Sequence, residues 1–308
     1  MGEEAQRLDE FFWRDLQEYL DDGRVIAVVD TATLPVRYQG ADIPFEALVT
    51  TRLAERLRIA LPAGRGAPRL DDLVSAYLLQ PRARKEDLYV RVAQVVRDLD
   101  LAPPEALRDL AAVRSIGLFV NLGYDNLLQR ALDDVRHGGR AETQSVVFAP
   151  NASDDLPEPR ERLTRPLVYH LLGRQSTAPD WVICDEDRLE FMHALQDDTR
   201  RPQLLFDALR DGHLLLLGCR LPDWLARFFL RTAKSERLSS SRDTVEYLVD
   251  PDAVNDARLK AFLADFSPAT RLVGLEPAEF AQQLRAGWEA RHPPAAPATE
   301  ARSEEHTS

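Results

Sequence analysis

Apolar residues recur along this chain in two patterns, one with helical spacing and one in short unbroken runs. The helical pattern between Leu8 and Leu20 predicts a first helix that ends at Asp22-Gly23. The unbroken runs are RVIAVV, IGLFV, QSVVFA, PLVYHLL, DWVIC, HLLLLG and TVEYLV. Because parallel strands covered on both faces need apolar side chains at successive positions, these runs predict strands of a parallel sheet.

Further helical patterns separate the first predicted strand from the others. They cover about residues 44 to 60, 69 to 79 and 85 to 113, with breaks at LPAGRGAP and at Pro103-Pro104. We interpret residues 44–113 as an inserted helical layer. From Ser115 onward strands alternate with helices, namely YDNLLQRALDDV, DEDRLEFMHAL, RPQLLFDAL, DWLARFFLRTA and two near 254–264 and 276–289. The predicted fold class is α/β, a parallel sheet flanked by helices with an inserted helical layer.

Composition and charge narrow the class of protein. The 308 residues are 44% hydrophobic and 29% charged, which is typical of a globular protein with a large core. The net charge of -12 argues against binding to nucleic acid or to an anionic membrane, since both require a basic surface. No apolar run approaches the roughly 20 residues that cross a bilayer, and no leader peptide is present, so we expect a cytoplasmic protein.

Metal chemistry finds little support in the sequence. The two cysteines, Cys184 and Cys219, lie within the apolar runs WVIC and LLLLGC, which predicts buried, unreactive thiols. The acidic run DEDRLE has no histidine or cysteine at ligand spacing and is interpreted as a helix cap with a solvated face. We therefore expect no metal.

The C-terminal end has the composition of a linker. Residues 292–301 are rich in proline and alanine and contain little that a core could bury. The last letters, RSEEHTS, resemble a translated sequencing adapter, so residues 302–308 are expected to be an artefact. We expect one domain over residues 1–291 and a natural chain that continues in frame into another folded domain.

Four stretches follow one another in an order that suggests a known family: GYDNLLQRAL, LVYHLLG, WVICDEDRLEFMHAL and LLLLGCRLPDWLARFFLR. From Arg24 to about Leu230 the chain resembles the bacterial sirtuin-like domains. The first stretch is the most specific, since family members commonly read TTNYDxLLExAL there. The resemblance implies a Rossmann-like fold; active members of the family bind or cleave NAD and often serve in antiphage defence.

The positions that carry the family's chemistry are altered in this sequence. A turn of the GAGxS kind, whose glycines let N–H groups approach the dinucleotide phosphates, is replaced by DTATLP, with Asp30 where phosphates would lie. The family's TNYD asparagine aligns with Gly123, and its general-base histidine, from HLHG, aligns with Leu172. Of the family's strand-end GxS, only Gly218 remains.

Two neighbouring groups are candidate replacements for the lost ones. Asn121 lies two residues before Gly123, and His170 lies two residues before Leu172. The resemblance further implies these candidates for binding a cofactor: Asp30, Thr31, Thr33, Gly123, Tyr124, Asp125, Gly218 and Arg220. His170 is more commonly a hydrogen-bonded core histidine, and Asp125 equally suits the first turn of a helix.

Three functions follow from the resemblance. The preferred one is a catalytically degenerate sirtuin-like domain, a sensing, scaffold or oligomerisation module of a bacterial defence protein with its effector beyond this sequence. The alternative is an active NAD hydrolase that uses Asn121 and His170. The third is a non-catalytic sensor of NAD or ADP-ribose, with Asp30 accepting ribose hydroxyls and Arg220 supplying positive charge.

Family deacetylases carry a four-cysteine zinc module, so deacetylase activity is disfavoured in a chain with two cysteines. The expected partner is a second copy of the chain or another defence protein.

Overall fold

A parallel sheet forms the centre of the computed structural model, which describes residues 10–62, 66–219, 243–266 and 268–293. Its described residues form ten strands: β1 Val25–Val29, β2 Pro35–Tyr38, β3 Ala41–Pro44, β4 Leu118–Asn121, β5 Gln144–Ala149, β6 Ala152–Ser153, β7 Leu167–His170, β8 His213–Leu217, β9 Glu246–Val249 and β10 Thr270–Val273. Eight of them join one sheet in the order β10-β9-β8-β1-β4-β7-β5-β6. Every neighbouring pair is parallel except β5 with β6. The predicted α/β, Rossmann-like parallel sheet is confirmed.

Helices cover both faces of this sheet. The described residues form ten: α1 Glu10–Asp21, α2 Phe45–Leu57, α3 Leu70–Leu78, α4 Lys85–Leu99, α5 Glu105–Ala112, α6 Leu127–His137, α7 Asp185–Gln196, α8 Gln203–Asp211, α9 Ala257–Phe266 and α10 Pro277–Arg291. Helices α2 to α5 follow the antiparallel hairpin of β2 and β3 and precede β4, so they form the predicted inserted layer. Pro103 and Pro104 separate α4 from α5, because proline has no N–H for a continuing helix.

Both faces of the central strands are buried. In β1, Val25, Ala27 and Val29 pack into one core, whereas Ile26 and Val28 pack into the other. The first core includes side chains of α1 to α6 and α10, and the second includes side chains of α7 to α9. Every position of β1, β4, β7, β8 and β9 is buried, which explains their unbroken apolar runs.

Polar contacts tie the inserted layer to α7. Lys85 Nζ lies 2.8 Å from Asp187 Oδ1, and the Tyr89 hydroxyl donates to the same oxygen at 2.8 Å. Arg188 Nη1 lies 2.8 Å from Asp71 Oδ2 on α3. The acidic run at the start of α7 is thus only partly a solvated face, since Asp187 is buried and acts as a cap and an anchor.

The prediction of a strand over DWVIC is wrong. Residues 180–184 form no strand, although residues 181–184 are buried. Val182 N donates to the carbonyl oxygen of Leu172 at 3.1 Å. The N–H groups of Ile183 and Cys184 donate to Asp187 Oδ2, at 2.9 and 3.2 Å. Because the carboxylate that caps α7 takes these N–H groups, they are not available to a strand ladder.

Several short strands escaped the sequence analysis. Strands β2, β3 and β10 have only four residues each and no regular alternation of buried and exposed positions, so they give no clear pattern. Arg220 and the predicted helix DWLARFFLRTA lie outside the described residues, as do residues 294–308. Both cysteines are buried and free, as predicted. Among the described helices, none is long and apolar enough to cross a membrane.

Candidate functional site at the carboxyl edge of the sheet

Four adjacent strands bring the predicted site residues to one edge of the sheet. The strands lie in the order β8-β1-β4-β7 and run parallel, so their carboxyl ends meet. Asp30 follows β1, Gly218 follows β8, and Asn121 and His170 are the last residues of β4 and β7. Thr31, Thr33, Gly123, Tyr124 and Asp125 lie in the adjoining turns. The structure therefore gathers every described candidate at this edge.

The β1 turn, residues 30–34, satisfies its own polar groups. Asp30 Oδ1 accepts a hydrogen bond from Ala32 N at 3.0 Å and caps a short 3-10 turn. Thr33 Oγ1 donates to the carbonyl oxygen of Gly218 at 3.0 Å. Leu34 N donates back to the carbonyl oxygen of Thr31 at 3.1 Å. The turn thus resembles a capped helix start rather than an open cradle of N–H groups.

Gly218 is required by close approach of two backbones. Its φ of +74° lies in the left-handed region, and a Cβ there would stand 2.5 Å from the carbonyl oxygen of Asp30. Any other residue would push β8 away from the β1 turn. This glycine matches the family pattern for a reason internal to the fold.

Asp125 connects the β1 turn to α6. Its carboxylate is fully buried, accepts Leu127 N at 2.8 Å and accepts the hydroxyl of Thr31. Burial raises the pKa of Asp125, and the hydrogen bonds from Thr31 and Leu127 offset part of that rise. Asp125 therefore fits both interpretations from the sequence: it supports the first turn of α6, and it lies among the candidate site residues at the sheet edge.

Gly123 has no room for a side chain. A Cβ at this position would overlap Thr31 Oγ1 and would lie 2.8 Å from Asp125 Oδ2 and 3.2 Å from Asn121 Oδ1. The contact between Thr31 and Asp125 therefore fills the space in which an asparagine at position 123 would begin.

Asn121 and His170, called here the strand pair, are neighbours in the β4–β7 register. Both are fully buried and lie on the sheet face that carries the inserted layer, with Asn121 Nδ2 3.4 Å from His170 Nδ1. Asn121 Oδ1 accepts Gly123 N at 2.9 Å, so its amide nitrogen faces the histidine and His170 Nδ1 acts as the acceptor. The ring proton is then on Nε2, which has no hydrogen-bond partner among the described residues.

Burial keeps the ring of His170 neutral. Desolvation, with a smaller contribution from Arg174, lowers the pKa of His170 to about 3. A base of that strength holds almost no proton near neutral pH, so the structure gives His170 the character of a core histidine.

Tyr124 is surrounded by acidic and aromatic side chains, of which Glu46, Phe45 and Trp181 were not candidates in the sequence analysis. Its ring packs on Phe45 and Trp181, with centroids 5.7 and 5.1 Å apart, and its buried hydroxyl has no partner in the described part of the chain. Burial first, then nearby Glu46, Asp125 and Asp30, raise the pKa of Tyr124 well above 10.0. Glu46 comes from α2 of the inserted layer, so no local sequence signal connected it to this edge.

The arrangement is acidic where a dinucleotide would require positive charge. Burial, then the negative charge of Asp30, raise the pKa of Glu46, so both carboxyl groups make this edge electrostatically negative. With Ala32 N bonded to Asp30, the β1 turn does not fit a diphosphate in the way that a glycine-rich turn does. Among the described residues, no group of histidine, cysteine and acidic side chains could hold a metal.

Comparison with known proteins identifies the family. Residues 117–267 match the family model described as the SIR2-like domain. The chain contains a SIR2-like domain. The match begins just before β4 and includes β7, β8 and β9, so it covers most of the sheet edge described above. The resemblance recognised in the sequence is thereby confirmed.

Three solved structures align with most of the chain at low sequence identity. Two mutant Sir2 homologues in complex with ADP-ribose each align at 12% identity and a TM-score of 0.45, covering 94% of this chain and 100% of theirs. A cytosolic 5′-nucleotidase IIIB bound to cytidine aligns at 9% identity and a TM-score of 0.34, covering 91% and 92%. The comparison with curated proteins gives no match.

Proposed function

We propose that this SIR2-like domain is catalytically degenerate and acts as a sensing, scaffold or oligomerisation module in bacterial antiphage defence. One observation carries the first part of the proposal. The space in which an asparagine at position 123 would begin is filled by the contact between Thr31 and Asp125. The role in defence comes from the sequence resemblance alone, and the proposed partners are a second copy of the chain or another defence protein.

Two further features support the loss of catalysis. The Asp30 carboxylate accepts the hydrogen bond of Ala32 N in the turn where phosphates would lie. His170 is buried and holds its pKa far below that of a base suited to neutral pH. Each feature removes a different requirement of NAD cleavage, namely binding of the diphosphate and acceptance of a proton.

An assay for NAD cleavage tests the proposal. The 308-residue chain at micromolar concentration is incubated with NAD for hours, and released nicotinamide is measured. The proposal predicts no release above that of buffer. Sustained release that disappears in both Asn121→Ala and His170→Ala would contradict it, and release that persists in both variants would indicate a contaminating enzyme.

An active NAD hydrolase is the second candidate, and the strand pair favours it. Asn121 and His170 lie on one sheet face with their side-chain nitrogens 3.4 Å apart, and His170 Nε2 has no partner among the described residues. In this proposal the two residues replace the family groups lost at Gly123 and Leu172. The cleavage assay separates the two candidates directly.

Binding without chemistry is the third candidate. Asp30 would accept ribose hydroxyls of NAD or ADP-ribose, and Arg220 would supply the positive charge that the β1 turn lacks. Calorimetric titration with each nucleotide tests this proposal, which fails if neither produces saturable heat.

A further inference from the structure

A cavity lies beside the sheet edge, between the inserted layer and α6. Its volume is about 340 Å³, within the range of small-molecule sites. Three parts of the chain surround it: the end of α4 with the following turn, the first turn of α6, and the loop after β7. Phe45, at the start of α2, also contributes to the wall. None of the candidate residues from the sequence analysis lines it.

The wall of this cavity is basic, in a chain whose net charge is -12. It contains two arginines, Arg97 from α4 and Arg130 from α6, against one aspartate, Asp100. Arg130 Nη1 donates to the carbonyl oxygen of Leu101 at 2.8 Å and lies 3.7 Å from Asp100 Oδ1, whose side chain is 85% exposed. Arg97 makes no ion pair with a described residue. The cavity, called here the basic cavity, therefore offers a free guanidinium group beside a positioned one.

Amide and apolar groups complete the wall. Asn126, at the start of α6, makes no side-chain capping bond, and the buried Oε1 of Gln175 has no partner in the described part of the chain. Phe45, Val96 and Leu101 form the apolar side of the wall, and Val96 is the most exposed of the three. The N-terminal end of α6 does not offer the N–H group of Leu127 to a ligand, because Asp125 already accepts it.

We propose that the basic cavity binds a nucleoside monophosphate. The phosphate would pair with Arg97 and Arg130, the base would lie on the apolar wall near Phe45, and the amides of Asn126 and Gln175 would bond to polar groups of the base or ribose. A monophosphate suits two guanidinium groups, and a cavity of about 340 Å³ lies at the small end of the range for ligand sites, which favours a mononucleotide over a dinucleotide. This inference does not depend on whether the chain cleaves NAD.

Calorimetric titration of the 308-residue chain with AMP tests the site. We expect saturable binding that Arg97→Ala weakens by about tenfold. The matched control is Arg91→Ala, which removes another exposed arginine of α4 that does not line the cavity, and binding should change by less than about twofold. Adenosine and inorganic phosphate should each bind more weakly than AMP, since each provides half of the contacts.

A second variant tests the position of the site by placing a larger side chain in the cavity. Thr177 is exposed and lines the cavity, so Thr177→Trp should obstruct it and weaken AMP binding without altering the core. Absence of saturable heat at about 5 mM AMP would overturn the proposal. So would AMP binding that Arg97→Ala and Thr177→Trp both leave unchanged. Thermal unfolding of each variant verifies that it is folded.

Discussion

The β1 turn and the strand pair occupy the same sheet edge but satisfy their polar groups in different ways. In the β1 turn, Asp30 and Thr33 both bond to nearby backbone groups, and Thr31 bonds to Asp125. In the strand pair, Asn121 is fully bonded, whereas His170 keeps one buried ring nitrogen without a described partner. The β1 turn is acidic and its side chains are hydrogen-bonded, whereas the strand pair is neutral and one of its ring nitrogens has no described partner.

Under the proposed loss of catalysis, this difference separates a region that the chain's own side chains fill from a region that still has an unbonded polar atom. In the β1 turn, which contains no glycine, the chain's own carboxylate accepts the N–H group of Ala32, and in the proposal that group is then not available to a phosphate. Beside Gly123, the contact between Thr31 and Asp125 fills the available space and joins the β1 turn to the start of α6. Of these two clusters, the strand pair is the one with a buried polar atom, His170 Nε2, that has no hydrogen-bond partner among the described residues.

The largest expected effect tests how closely the β1 turn is packed. Gly123→Ala should lower the free energy of unfolding by about 2–3 kcal/mol, because its Cβ would overlap Thr31 Oγ1. Urea unfolding measures the loss. In the double variant Thr31→Ala/Gly123→Ala, part of the stability should return, since the nearest obstacle is removed.

Gly117→Ala is the matched control for Gly123→Ala. No atom lies within 4 Å of a Cβ at Gly117, so the change should stay within about 1 kcal/mol in either direction. Equal losses in the two variants would show that position 123 is not specifically crowded.

Acid stability tests the burial of the strand pair. The folded pKa of His170, about 3, lies below the ordinary 6.5, so the unfolded state binds the proton first as pH falls. The stabilising contribution is complete above pH 6.5 and is lost as the pH falls toward 3. From about pH 7 to about pH 5 the loss should be about 2 kcal/mol.

The matched variants isolate this pH dependence. Between the same two pH values, the free energy of unfolding of His170→Gln should fall by about 2 kcal/mol less than that of the unmodified chain. The exposed His193→Gln should behave like the unmodified chain. Urea unfolding at each pH gives the comparison. Identical slopes for all three chains would mean that His170 is accessible to protons in the folded state.

The charge of Asp125 gives a smaller effect with the opposite sign. Burial raises its pKa above 3.8, so its contribution to stability is complete below that pH and declines as the pH rises through the folded pKa. Asp125→Asn cannot ionise, and its stability relative to the unmodified chain should improve between about pH 4 and about pH 7. Unfolding curves at both pH values test this; Asp72→Asn, at an exposed position, should show no such trend.

The smallest expected effect concerns the cap of the β1 turn. Asp30→Ala removes the acceptor for Ala32 N and should cost about 1 kcal/mol in unfolding experiments. Asp252 precedes a similar 3-10 turn but makes no side-chain capping bond, so Asp252→Ala should cost less than about 0.5 kcal/mol. Equal costs would remove the argument that Asp30 completes the turn.

Local patterns in the sequence predicted the sheet better than they predicted the site. Unbroken apolar runs identified β1 and β8 because both faces of the sheet are covered, yet the same signal failed at DWVIC, where Asp187 takes the N–H groups. Asn121 and His170 were candidates only through the family resemblance, and the register of β4 with β7 is what brings them side by side. The contact of Thr31 with Asp125 joins residues 94 positions apart, and no local pattern reports such a contact.

The basic cavity was missed for a related reason. Arg97 comes from the inserted layer and Arg130 from α6, and each reads in the sequence as an ordinary exposed arginine of an amphipathic helix. Only the packing of α4 beside the start of α6 brings them to one wall. Tertiary contacts between the insertion and the sheet edge are therefore the part that the sequence left open.

Titration of the 308-residue chain with NAD is the most direct test of the central claim that the chain's own side chains fill the dinucleotide position. The account predicts no saturable heat up to about 1 mM NAD. Arg97→Ala serves as a control for binding in the basic cavity. Saturable binding that Asp30→Ala weakens and Arg97→Ala does not would contradict the account, because it would place the nucleotide against the β1 turn.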